Sequence, residues 1–141
     1  MTTYEMQKAE YASRVRARIM AVMAAVLLII GFLGFGDEAS SMDPVLRHAS
    51  WGVMIFFWLI ILATGGWLRL DKRIRSVMND EGSLANRSKA LQAGFWVAMA
   101  LGLALYFASF EWQLSVREGL RMLIDVAIAA ALLRYAWLEM R

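Results

Sequence analysis

The sequence contains no cysteine, one histidine and one proline in 141 residues. Without a thiol there is no disulfide, iron–sulfur cluster, thiolate zinc site or thiol nucleophile. The sole histidine, His48, excludes a bis-histidine haem within one chain, and a multi-histidine metal site would need several chains. Charge is scarce as well: 19% of residues are charged against 60% hydrophobic, and mean hydropathy is +0.52. That leaves too little polar material to coat a soluble domain of this size, so the composition is that of a membrane protein. A Gly-rich phosphate loop, a nucleophile elbow and zinc-binding pairs are all missing from the sequence. The expectation is a non-enzymatic protein without cofactor or metal.

What the chain does have is apolar length. Uncharged runs extend from Ile19 to Gly36, from His48 to Leu68 and from Ala90 to Phe110, each close to the roughly 20 residues that carry a helix through hydrocarbon. A fourth run, from Val116 to Leu138, is as long but carries charges. Backbone groups cannot pair with lipid, and the period-2 alternation of a barrel strand is absent, so the runs predict helices. The expected fold is all-α, a single integral membrane bundle of four transmembrane helices at about 17–36, 48–69 extending to 78, 84–110 and 115–138. The charged first eighteen residues lack the pattern of a cleavable signal, so the first helix is expected to stay in the mature protein.

Basic residues set the orientation. With both termini in the cytoplasm, only Arg47, Arg117 and Arg121 of the fifteen Lys and Arg residues lie outside, as the positive-inside rule requires. The pI near 9.6 then reflects topology and attraction to anionic lipid, and direct nucleic-acid binding is not expected.

The N-terminal segment has Thr2 and Glu5 at capping-box spacing and no breaker before the first apolar run. It reads either as a short amphipathic helix continuous with that run or as a frayed, membrane-apposed tail. The loop around Pro44 reads as an exposed external turn. Trp51, Trp67, Trp112 and Trp137 bracket the spans as interfacial anchors. Beyond Trp67, Leu70, Ile74, Val77 and Met78 keep a helical period among Arg69, Lys72, Arg73 and Arg75. Asn79 to Gly82 breaks it, and Ser83 is placed to cap the next helix. The resulting inner hairpin is either a solvated basic connector or a docking surface, with Ile74, Val77, Met78 and Leu84 as apolar anchors beside Arg73. Ala90, Gly94, Ala98 and Gly102 form a four-residue stripe that admits a close neighbour, in this chain or another copy.

The fourth span holds Arg117, Glu118, Arg121 and Asp125. At 100° per residue these four fall within an arc of about 100°, and Asp125 lies about 14 Å from the helix start, near mid-depth. An ionised carboxylate there must face protein or water. Arg121 can pair with it at i+4, and Glu118 can reach Arg121 at i+3. The same face continues inward with Ile128 and Leu132, so the polar track is expected to stop halfway. His48, Tyr106, Ser109 and Glu111 belong to the outer half and are candidate partners for the cluster. The cluster reads as a structural ion pair fixing helix registry, as a ligand, proton or ion site, or as a contact with a second membrane protein.

The stretch MNDEGSLANRSKALQAGFW, from Met78 to Trp96, resembles a segment N-D-E-x-x-x-x-N-R-x-x-A-L found in small four-helix membrane proteins of alphaproteobacteria. Those proteins are similar in layout over nearly the whole chain and are often encoded beside a helix-turn-helix regulator of the Cro/repressor type. The resemblance implies a protein of the bacterial inner membrane that signals to or anchors such a regulator. Asp80, Glu81, Asn86 and Arg87 stand at the matching cytoplasmic positions. Two other readings stay open. One is an oligomeric transporter or channel using Asp125; the other is an accessory subunit held by the small-residue stripe in a homo-oligomer or against a membrane partner.

Overall fold

A computed structural model describes residues 3–33, 43–64, 81–113 and 115–140 of the chain. Among these residues there are four helices: α1 (Thr3–Leu33), α2 (Pro44–Thr64), α3 (Glu81–Ala108) and α4 (Val116–Met140). The all-α expectation holds for what is described. The inner continuation of α2, with Trp67, falls outside the described residues.

Local chemistry explains where the helices begin. α1 runs unbroken from Thr3, so the N-terminal segment and the first apolar run are one helix. α2 starts at Pro44, earlier than the expected 48, because Asp43 caps it. The Asp43 side chain accepts the Val45 N–H at 2.8 Å and its carbonyl accepts the Arg47 N–H at 3.0 Å. Proline suits the position after a cap, where its fixed φ is helical and a missing N–H removes no bond. Pro44 is therefore a helix starter and not part of a turn. α3 begins at Glu81, which places Ser83 inside the helix instead of at its cap. Its far end tightens into i+3 bonds, Phe110 N–H to Phe107 O at 3.2 Å and Glu111 N–H to Ala108 O at 3.1 Å.

α4 is the centre of the bundle. It packs along α1 on one side and α3 on the other, while α2 completes the core through larger side chains. On α1 the residues Ser13, Ala17, Met20, Ala24, Leu27 and Gly31 recur at alternating steps of four and three. On α4 the facing residues Asp125, Ile128, Leu132, Tyr135 and Glu139 recur at steps of three and four. This is the spacing that keeps one seam of each helix against the other. The two run antiparallel, since Gly31 meets Asp125 at one end and Ser13 meets Glu139 at the other. Met20, Ala24, Leu27, Ile128, Leu132 and Tyr135 are buried in between.

The α3–α4 contact is closer still. A Cβ on Gly94 would stand 2.9 Å from the Ala127 carbonyl oxygen and 3.0 Å from the Ala131 Cβ. One on Gly102 would stand 3.4 Å from the Leu123 side chain, and Ala90 is fully buried. The small-residue stripe thus faces α4 of the same chain. Where lipid surrounds the helices, such backbone approach supplies the van der Waals contact that the hydrophobic effect does not.

The outward faces are apolar. Phe56 and Phe57 on α2, and Phe95, Trp96 and Phe107 on α3, are each more than half exposed. α2 and α3 are long and apolar enough to cross a membrane, over Val45–Thr64 and Leu84–Ala108, and most of each span is exposed. A core helix of a soluble domain would instead be mostly covered.

Candidate functional site

Asp125 is the most deeply placed charge on α4, with 3% of its surface exposed. Three helices enclose its carboxylate. From α2, the Trp51 indole N–H donates to Oδ1 at 3.1 Å. From α4 itself, Arg121 Nε lies 3.9 Å from Oδ2, one turn toward the helix start. From α1, Gly31 lies so close that an added Cβ would be 3.1 Å from Oδ2. The carboxylate therefore faces protein on all three sides, as burial of a charge in an apolar medium requires.

Trp51 was expected as an interfacial anchor; its indole instead reaches inward as a donor. Trp112 and Trp137 do remain exposed at helix ends. Of the other expected cluster members, Glu118 is exposed in the first turn of α4, while the Arg121 guanidinium turns toward Asp125. Arg117 is also exposed, and its Nη1 lies 3.4 Å from His48 Nε2 on α2. Tyr106 and Glu111 are exposed around the far end of α3. The Tyr106 ring packs edge-on against Phe107 and Phe110, with centroids 5.5 and 5.3 Å away. The structure brings together Asp125, Arg121 and Trp51, sets Arg117 against His48, and leaves Tyr106 and Glu111 on the surface.

The polar track does stop at Ile128 and Leu132, but it is not the last polar group on this face. Below the buried Ile128 and Leu132 it resumes at Tyr135 and Glu139. Arg16 of α1 donates to the Glu139 carboxylate, and the two side chains are only 8% and 6% exposed. Ser13 Oγ donates to the same oxygen at 2.9 Å, and the Arg16 guanidinium lies over the Tyr135 ring, 5.1 Å from its centroid. Sequence reasoning missed this second buried pair: Arg16 was counted only as a cytoplasmic-side charge, and Glu139 was not considered. The signal was present, since Glu139 projects about 40° from Arg117, the same angle as Arg121.

The apolar layer between the two polar groups also contains Trp58, whose indole N–H is buried and has no hydrogen-bond partner among the described residues. No group of three or more potential metal ligands occurs among the described residues.

The proposed docking residues lie mostly elsewhere. Arg73, Ile74, Val77, Met78 and Asp80 fall outside the described residues, and Glu81 is placed as the first residue of α3. Asn86 and Arg87 are half-buried in the first turns of α3, and Leu84 is exposed. No family model, curated protein or solved structure matches the chain.

Proposed function

We propose that this chain is a four-span protein of the bacterial inner membrane, with both termini in the cytoplasm, that anchors or signals to a soluble cytoplasmic partner. The observation that carries the membrane reading is the exposed apolar surface of α2 and α3, with Phe56, Phe57, Phe95, Trp96 and Phe107 turned outward. Such a surface is stable against acyl chains and unstable in water. The distribution of basic residues supports the orientation, and α1 and α4 complete the four spans through their shared seam.

Within this reading Asp125 acts as a pin for helix registry. Its carboxylate is held by Trp51, Arg121 and the close approach of Gly31, and buried Ile128 and Leu132 separate it from the opposite end. That arrangement favours a fixed scaffold over a continuous polar route. The partner would dock on the inner hairpin and the first turns of α3, where Asp80, Glu81, Asn86 and Arg87 lie. The resemblance of Met78 to Trp96 points to a helix-turn-helix regulator encoded beside the chain.

Co-purification of that regulator with the detergent-solubilised protein tests the proposal. Retention is expected with the unaltered chain and weakened retention with Asp80→Ala, Glu81→Ala or Arg87→Ala. Absent binding, or binding indifferent to all three, removes it. A transporter is the second reading, favoured by the mid-depth position of Asp125 and by a second buried acid, Glu139, at the far end of α4. Proton-linked uptake into liposomes that Asp125→Asn abolishes would support it.

A further inference from the structure

We infer that Arg117, His48 and Arg121 form a binding site for the phosphodiester group of a membrane phospholipid. The inference rests on the membrane reading above and adds a ligand to it.

Two helices converge there. Arg117 in the first turn of α4 and His48 in the first turns of α2 meet at 3.4 Å, both exposed. Both side chains can carry positive charge, so their approach is favourable only when the imidazole accepts from the guanidinium or when an anion lies against both. Arg121 stands one turn deeper on α4, its Nε 3.9 Å from Asp125 Oδ2 and its side chain still 29% exposed. The planar guanidinium keeps its N–H donors in a fork that matches two phosphodiester oxygens.

The height of the site matches a headgroup. His48 lies in the first turns of a helix whose apolar span begins at Val45, and Arg117 is the second residue of α4. Both therefore sit at the boundary between hydrocarbon and water, whichever side of the membrane that end faces. The free N–H groups of the first turn of α4 add partial positive charge at the same place.

The carboxylates nearby leave the site available. Asp125 is buried and engaged by Trp51 and Arg121. Glu118 is exposed and lies about 100° around α4 from Arg117. All the basic residues that the topology assigns outside, Arg47, Arg117 and Arg121, fall on the opening turns of α2 and α4.

The single histidine makes the test direct. The imidazole NMR signals of the full chain in uncharged detergent are followed during titration with dihexanoylphosphatidylglycerol, dihexanoylglycerol or inorganic phosphate. Expected is a saturable shift with the phospholipid, about tenfold weaker in Arg117→Gln and Arg121→Gln, as loss of a charge-assisted hydrogen bond implies, and unchanged in Arg14→Gln. Retained helicity in each variant, by circular dichroism, separates loss of the site from loss of the fold. A shift produced equally by dihexanoylglycerol overturns the inference, and so does a phospholipid response indifferent to Arg117 and Arg121. Saturation by inorganic phosphate at the same concentration overturns the lipid as ligand. Recovery of the chain in the soluble fraction without detergent would instead reject the membrane reading itself.

Discussion

Arg16 of α1 donates to Glu139 of α4 across one end of the seam between the two helices, about 21 Å along α4 from Asp125 at 1.5 Å per residue. The seam is thus closed by a buried acid at each end, with an aliphatic layer between. In lipid, where apolar packing alone discriminates weakly between registers, a charged group that must meet its partner fixes how far one helix slides along the other.

Removing one member of the inner pair leaves the other charge buried. Glu139→Gln and Arg16→Met are each expected to lower stability by about 3 kcal/mol, read as a fall in the thermal unfolding midpoint in detergent. The combined variant Arg16→Met with Glu139→Leu should recover most of that loss, because no lone charge remains. A double variant as unstable as the sum of the singles would show that the pair does more than satisfy itself.

At the Asp125 end of the seam, Trp51→Phe keeps an aromatic ring but removes the donor to Asp125. The expected loss is about 1–3 kcal/mol for an orphaned buried carboxylate oxygen. Proteoliposomes holding the unaltered chain should pass protons no faster than empty vesicles. A flux that Asp125→Asn abolishes would move Asp125 from scaffold to transport.

The glycines give a graded series in the same unfolding measurement. Gly94→Ala presses on a backbone oxygen at 2.9 Å and should cost about 1–3 kcal/mol. Gly102→Ala makes an ordinary contact at 3.4 Å and should be nearly neutral. Gly52→Ala meets nothing within 4 Å and should stabilise α2 by up to about 1 kcal/mol. A flat series would mean that α3 does not lie this close to α4.

Because the chain has no cysteine, single introduced thiols report topology without background. Ser115→Cys should react with a membrane-impermeant maleimide in intact spheroplasts. Ser88→Cys, in the first turns of α3, should react only after permeabilisation. The reverse pattern would invert the proposed orientation.

The sequence made the helices plain because lipid tolerates so few alternatives, and the runs around Ile19, His48 and Ala90 are long enough to leave little choice. It also marked Asp125 and Arg121 as partners, since i+4 spacing on a helix needs no tertiary knowledge. Trp51 was legible as an aromatic near a helix end, but which way its N–H points depends on where α2 lies beside α4. The seam on α1 was hidden for a different reason. Its exposed side is as apolar as its packed side, so Met20 and Leu27 do not stand out from Val22 and Ile29. The Gly94 and Gly102 stripe announced a close neighbour without naming it. Only the fold shows that α4 occupies it.

The central place of α4 has a bearing on biogenesis. α1 and α3 each find their main partner in α4, which leaves the ribosome after both of them. Until α4 has been made, α1 and α3 therefore stand without their principal contact. Nascent chains halted before Val116 should be the form on which membrane quality-control proteases act.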